Sequence, residues 1–176
     1  LPYLTNIEID YDQYNLENIV NDRINILTNY QNKEYAKKYK DIVDKVISIE
    51  KNIGDKNQEF SKSVAKYLFK LMAYKDEYEV ARLYSDGQFK EKLNSAFDGN
   101  LKIKFHLAPP LLSPRDINTG KPRKITLGSW MLPVFSIISK FKFLRGSIID
   151  PFGKTKERKM ERYLIKQNIN DLDKIL

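Results

Sequence analysis

The residue types that could do chemistry concentrate in the second half of the chain, beginning with its only histidine, His106. This residue stands near the start of a segment, residues 105–130, that also holds the only tryptophan and a Pro-Pro pair. Two adjacent prolines restrict the backbone, so the segment predicts a loop of fixed shape. A histidine held beside such a loop could act as a general base or contact a ligand. Because no carboxylate partner is evident, a hydrogen-bonded structural histidine is the competing interpretation.

Basic side chains bracket the same loop and could bind an anion. Residues 1–100 carry a net charge of −2 and residues 101–176 carry +10, so the excess of +8 belongs to the second half. If the chain reverses after the loop and packs near the last helix, these cations would form one face. That face could take the phosphates of coenzyme A, an acidic partner or nucleic acid, and a solvated basic surface explains the same residues. Together with His106, the candidate ligand or interface contacts are Arg115, Lys121, Arg123, Lys124, Arg145 and Arg158.

Nucleic acid is the least favoured of these ligands, because basic motifs interleaved with glycine and aromatic residues are absent. A G-K-T triplet at residues 153–155 resembles the end of a phosphate-binding loop. However, six residues separate Gly146 from Gly153 where that loop requires four, and Pro151 removes a backbone donor. A turn followed by a helix cap is therefore the better interpretation.

Composition excludes several classes of chemistry. The absence of cysteine excludes disulfides, thiolate zinc sites, iron–sulfur clusters and thiol nucleophiles within this chain. A single histidine disfavours a multi-histidine metal site. Asp76, Glu77 and Glu79 could do acid–base work or hold a metal, but ion pairs on a helix surface account for them more simply. We therefore assign no catalytic residue, no metal ligand and no cofactor to this domain.

The elements that must position these residues are mainly helices. Apolar residues spaced by three and four predict helices over residues 16–30, 35–53 and 57–74, the last continuing or restarting near Asp76 up to Gly87. A short helix follows over residues 89–97. Alternating apolar and polar residues at 101–106 and 124–127 predict two strands that flank the proline loop as an antiparallel ribbon.

The remaining pattern is helical again. Residues after Trp130 form an almost uniformly apolar segment, with Pro133 in its first turn, which predicts a helix buried in the domain or against a partner. Thr155 is a candidate N-cap for a basic helix to about residue 168, and Asn170 for a last short helix. The predicted fold class is mainly α (α+β), a helical domain with a small antiparallel β-ribbon around residues 101–128. We expect an extended arm over residues 1–14 and a single domain over residues 15–176.

The predicted cellular location depends on two features that the sequence lacks. No run of about 20 apolar residues could span a bilayer, and no leader resembles a signal peptide. We therefore expect a soluble, cytoplasmic protein without membrane contact. A first residue of leucine leads us to expect a processed product or a segment of a longer chain.

Several segments, in order, strongly resemble the C-terminal domain of long-form indolepyruvate ferredoxin oxidoreductases, of the 2-oxoacid:ferredoxin oxidoreductase family. The segments are RINILTNYQN at residues 23–32, LFKLMAYKDEYEVARLY at 68–84, FHLAPPLL at 105–112, GKPRK at 120–124, LRG at 144–146 and DPFG at 150–153. The resemblance covers roughly residues 15–168. This sequence departs from the family pattern mainly by Asn, Lys and Ile replacements, which lie on the expected surfaces.

The resemblance implies a parent enzyme that oxidatively decarboxylates aryl-2-oxoacids. Such parents use thiamine diphosphate, magnesium, iron–sulfur clusters and coenzyme A, pass electrons to ferredoxin, and hold these cofactors in other domains. No position here matches the family's catalytic residues. The resemblance thus implies a structural or docking domain whose partners are the other domains or subunits of the parent, and ferredoxin through the parent. The alternative is a module that binds an anion through its basic second half.

Overall fold

The computed structural model describes residues 15–55, 57–99, 101–108, 113–114, 116–117, 119–120 and 123–176. Over these residues it is mainly helical with one two-stranded antiparallel sheet, which confirms the predicted fold class. In chain order the elements are α1 Leu16–Tyr30, α2 Lys33–Asn52, α3 Glu59–Met72, α4 Glu77–Ser85, α5 Gln88–Ala96, β1 Phe105–Leu107, β2 Ile125–Leu127, α6 Met131–Lys140, a 3-10 turn Phe141–Leu144 and α7 Lys156–Ile175.

The chain divides into two compact units. Unit 1 comprises residues 1–74 and 163–176, and unit 2 comprises residues 75–162. Helix α7 therefore has its first part in unit 2 and the remainder in unit 1. The single domain predicted over residues 15–176 stays a prediction, and the arm predicted for residues 1–14 lies outside the described residues.

Unit 1 packs α1, α2 and α3 around an apolar core that the end of α7 completes. Asn15 and Asn32 begin α1 and α2 by accepting backbone hydrogen bonds from Glu17 and Tyr35, at 3.2 and 2.8 Å. Most of the apolar residues that predicted these helices are buried or half-buried, which confirms the helices, although Ile53, Phe60 and Tyr67 are exposed. The fully buried core side chains include Leu27, Tyr39, Val43, Val46, Ala65 and Leu68.

A buried carboxylate starts α3. Glu50, on α2, accepts hydrogen bonds from the backbone N–H groups of Phe60 and Ser61, each at 2.9 Å, and a further one from the Ser61 hydroxyl. Gln58 precedes the helix in the left-handed region, with φ of 53°, and its side chain makes no cap hydrogen bond. Glu50 thus supplies from another helix the acceptor that a helix N-terminus needs.

Unit 2 is built on an aromatic core. Tyr84 of α4 lies 4.9 Å between ring centroids from both Phe89 and Phe105, and 5.2 Å from Phe135 of α6. Edge-on and offset rings at these distances attract each other beyond the area that they bury. The ribbon joins this core through Phe105, which pairs with Leu127 across the sheet.

Of the two alternatives predicted near Asp76, the helix restarts there. Helix α3 ends at Met72 and α4 begins at Glu77, because the Asp76 side chain caps α4 by accepting from the backbone N–H of Glu79 at 2.8 Å. Two other elements differ from the sequence prediction. The first strand covers Phe105–Leu107 only, and Ile103 before it is bound instead by a side chain, because its backbone N–H donates to the Ser129 hydroxyl at 3.2 Å. Helix α7 runs without a break where a second cap was predicted at Asn170, because Ile165, Ile169 and Leu172 continue one seam onto the core of unit 1.

Helix α6 is less buried within unit 2 than its composition predicts. Only Met131 and Phe135 of this helix are buried, and Ile137 is 58% exposed. The neighbouring rings of Trp130 and Phe143 are 59% and 64% exposed. Of the two predicted alternatives, burial in the domain accounts for one side of α6 only, and burial of the other side against a partner stays a prediction. No helix among the described residues is both long enough and apolar enough to cross a bilayer.

Candidate functional site

His106 lies on the solvent face of the ribbon. Its register partner on β2 is Thr126, whose hydroxyl lies 3.0 Å from the imidazole Nδ1. The side chain is exposed, and the partner is a hydroxyl of the neighbouring strand. This geometry is that of a cross-strand polar pair on the outside of a sheet.

The basic residues of the loop are only partly described. Arg123 is exposed and pairs with Asp116, with 3.0 Å between guanidinium Nη2 and carboxylate Oδ2. Lys124 is exposed beside β2. Arg115 and Lys121 lie outside the described residues. Of the predicted anion-binding loop, the described arginine is thus already paired with a carboxylate from the same loop.

Arg145 lies in the interior of unit 2 and faces Asp76. Both residues are almost fully buried, at 7% and 3% exposure. The guanidinium donates from Nη2 to Oδ1 at 2.8 Å and from Nε to Oδ2, so the pair is bidentate. The expectation that Asp76 makes an ion pair on a helix surface is wrong, because its partner is a buried arginine from a distant segment. The same contact withdraws Arg145 from the surface on which the sequence placed it.

Arg158 meets the next carboxylate of α4. Its guanidinium lies 3.4 Å from Glu77 and donates to Glu161, one turn along α7, at 2.7 Å. Burial raises the pKa of Glu77, against the opposing effect of Arg158. Arg145 and Arg158 thus meet consecutive carboxylates at the start of α4. Arg123 lies against a different carboxylate, Asp116, which belongs to the loop and not to α4.

Asp150 is a buried residue that the sequence prediction missed. Its Oδ1 accepts from the Tyr78 hydroxyl and from the backbone N–H of Phe152, each at 3.0 Å. Its Oδ2 accepts from the backbone N–H of Gly146 at 2.7 Å. Burial, reinforced by the hydrogen bond to Asp150, raises the pKa of Tyr78 well above its usual range. The sequence D-P-F-G at residues 150–153 predicts a turn, but no local pattern indicates that Asp150 accepts a hydrogen bond from the Tyr78 hydroxyl.

Gly153 and Arg162 close this arrangement. A methyl group on Gly153 would overlap the carboxylate of Asp150, with 2.8 Å to its Cγ. Arg162 donates from Nη2 to the carbonyl oxygen of Gly153 at 2.6 Å. We call Asp76, Tyr78, Arg145 and Asp150, with the backbone of residues 146–153, the polar cluster.

The polar cluster holds backbone segments of unit 2 together. Each of its carboxylates is occupied by donors from the chain itself. The Tyr78 ring also packs edge-on to Phe152 at 5.1 Å and below the Arg145 guanidinium at 5.6 Å. Among the described residues, no three acidic or histidine side chains gather where they could hold a metal ion.

These features define a mainly helical chain with a β-ribbon, whose unit 2 contains a buried network of ion pairs and hydrogen bonds. A family model matches residues 16–176, and the chain belongs to that family, a family of unknown function (DUF6537). No curated protein and no solved structure gives a significant match.

Proposed function

We propose that this chain is the structural and docking domain of a thiamine-diphosphate-dependent indolepyruvate:ferredoxin oxidoreductase, and that it is not itself catalytic. The parent would oxidatively decarboxylate aryl-2-oxoacids, with thiamine diphosphate, magnesium, iron–sulfur clusters and coenzyme A held in its other domains. As part of such an enzyme it would be cytoplasmic. The proposal begins from the sequence segments that resemble the C-terminal domain of this family.

One observation carries the non-catalytic assignment: the resembling segments supply the polar cluster. Asp76 and Tyr78 come from the segment at 68–84, Arg145 from 144–146 and Asp150 from 150–153. These residues contact each other in the interior of unit 2, so their place in the segments is explained by holding the fold. Catalytic groups would instead have to face a cavity that admits substrate.

The docking half of the proposal has a separate support. Unit 2 leaves several large apolar side chains in solvent around α6, among them Trp130, Ile137 and Phe143. Exposed apolar clusters on folded domains mark surfaces that contact other proteins. A domain with a fixed interior and such a surface is suited to bracing a larger assembly.

The alternative of an anion-binding module is weakened by ion pairing. Arg123, Arg145 and Arg158 each already lie against a carboxylate, and Arg145 is buried. Binding the phosphates of coenzyme A would require these pairs to open, at a cost in electrostatic energy. The same argument applies to nucleic acid.

Two measurements test the proposal. The gene that encodes this chain is expected to encode thiamine-diphosphate and iron–sulfur domains in the same reading frame. The 176-residue chain alone, supplied with indolepyruvate, thiamine diphosphate, magnesium, coenzyme A and ferredoxin, is expected to show no oxidation of the oxoacid, whereas the whole gene product is expected to show it. Turnover by the chain alone, or a gene without those domains, would overturn the proposal.

A further inference from the structure

One side of α6 presents an apolar stripe to solvent. Trp130, Ile137 and Phe141 are separated by seven and four residues, so they follow one line along the helix and its 3-10 extension. The ring of Phe143 lies 6.0 Å from that of Phe141 and widens the stripe. All four side chains are among the exposed large apolar residues. We call these four side chains the α6 surface.

The α6 surface is large enough to bind a partner. Its three aromatic rings are each about half exposed, and since an aromatic side chain presents about 150–250 Å², they alone leave roughly 300 Å² of apolar area in water. The largest apolar patch of a typical monomeric protein spans about 300–600 Å² and is often functional. The exposed apolar area of the three rings alone therefore reaches the lower end of this range, and Ile137 adds to it.

The serine beside the stripe does not oppose its burial. The Ser136 hydroxyl donates to the carbonyl oxygen of Leu132 at 3.2 Å. Hydroxyls bonded to their own helix keep that partner when water is removed, so they avoid the penalty of a buried unpaired group.

The segment that carries the α6 surface has charge of one sign. Residues 117–149 contain no Asp or Glu, and Lys140, at the end of α6, is exposed. A carboxylate brought by a partner would therefore find a cation beside the stripe with which to pair.

We propose that the α6 surface docks against another domain or subunit of the parent oxidoreductase, on an apolar patch bordered by a carboxylate that pairs with Lys140. This inference rests on the proposed function and assigns its docking surface. A lipid surface fits less well, because membrane-bound helices present a face rich in basic residues, whereas α6 carries one lysine and buries its other side in unit 2. A second copy of the same surface would bring lysine against lysine.

The test is site-specific photo-crosslinking in the whole gene product. Phe143 is replaced by p-benzoylphenylalanine, and the matched control carries it in place of Phe97, which is 59% exposed and also in unit 2. We expect an intramolecular or intersubunit crosslink from position 143 to a peptide rich in apolar and acidic residues, and none from position 97. Lys140→Glu should reduce the yield at least about fivefold, and Lys90→Glu, the same change at an exposed lysine of α5, should not.

The outcomes separate the two proposals. Crosslinks from position 97 and not 143 to the oxidoreductase, a crosslink of α6 to lipid or to a second α6, or a yield indifferent to Lys140→Glu would overturn the inference and leave the proposed function standing. A Lys140-dependent crosslink to an acidic apolar peptide of an unrelated protein would retain the charge-complementary docking surface but overturn its assignment to the oxidoreductase, together with the proposed function.

Discussion

The polar cluster predicts that neutralising Asp76 destabilises unit 2 strongly. Asp76→Asn keeps an oxygen that can accept from the backbone N–H of Glu79, so the helix cap is preserved. It removes the charge that the buried Arg145 guanidinium requires. Breaking a buried ion pair by removing one partner costs about 3–5 kcal/mol. For a unit of this size, whose urea dependence is roughly 1–2 kcal/mol/M, the unfolding midpoint should fall by roughly 1.5–5 M.

The assay is equilibrium urea unfolding followed by fluorescence of the only tryptophan, Trp130, which lies in unit 2. The matched control is Asp86→Asn, the same chemical change in a more exposed pair with Arg82 at 3.6 Å, and it should cost less than about 1 kcal/mol. The double variant Asp76→Asn/Arg145→Met removes both charges and should recover at least about 2 kcal/mol relative to the sum of the single variants. Equal midpoints for Asp76→Asn and Asp86→Asn would refute the reasoning. So would a double variant whose loss of stability equals the sum of the losses of the two single variants.

Three further outcomes test other contacts. Glu50→Ala should destabilise unit 1 by about 2–3 kcal/mol and remove hydrogen-exchange protection at the amide of Ser61, whose acceptor is lost, and unchanged protection would contradict this role. Gly153→Ala should cost about 1–3 kcal/mol in urea unfolding, because its methyl overlaps Asp150, and a neutral result would show that the turn can yield. Raising the pH above about 10 should destabilise unit 2, since the raised pKa of Tyr78 keeps the folded state protonated where the unfolded tyrosine ionises, and stability is retained below that pH. Tyr78→Phe should show a shallower loss between pH 9 and 11, and identical slopes would contradict the assignment.

Several helix ends could be predicted because the patterns that indicate them are local. Asn32 caps α2, and the apolar residues that follow it repeat at the spacing of one helix face. Thr155 was likewise predicted as a cap, and its hydroxyl accepts from the backbone N–H of Arg158 at 3.3 Å. Gly87 was predicted to end a helix, and it takes a φ of 89° between α4 and α5.

The polar cluster could not be predicted in the same way. Asp76 and Arg145 are far apart in the sequence, and charged residues are on average found in water, so hydropathy placed both on the surface. Their burial depends on a partner that no local pattern identifies. For α6 the sequence left two alternatives open, burial in the domain or against a partner, because composition shows that a residue is apolar and not what covers it.

The spacing of the polar cluster along the chain also bears on how the protein is made. Tyr78 and Asp150 are separated by 72 residues, and Asp76 and Arg145 by 69. On the ribosome, α4 leaves the exit tunnel well before the residues that neutralise it have been synthesised. Contacts of such long range form late, because a long loop must close before they are gained. Unit 2 should therefore mature only after residues 145–150 have left the ribosome, and α4 is a segment for chaperones to protect until then.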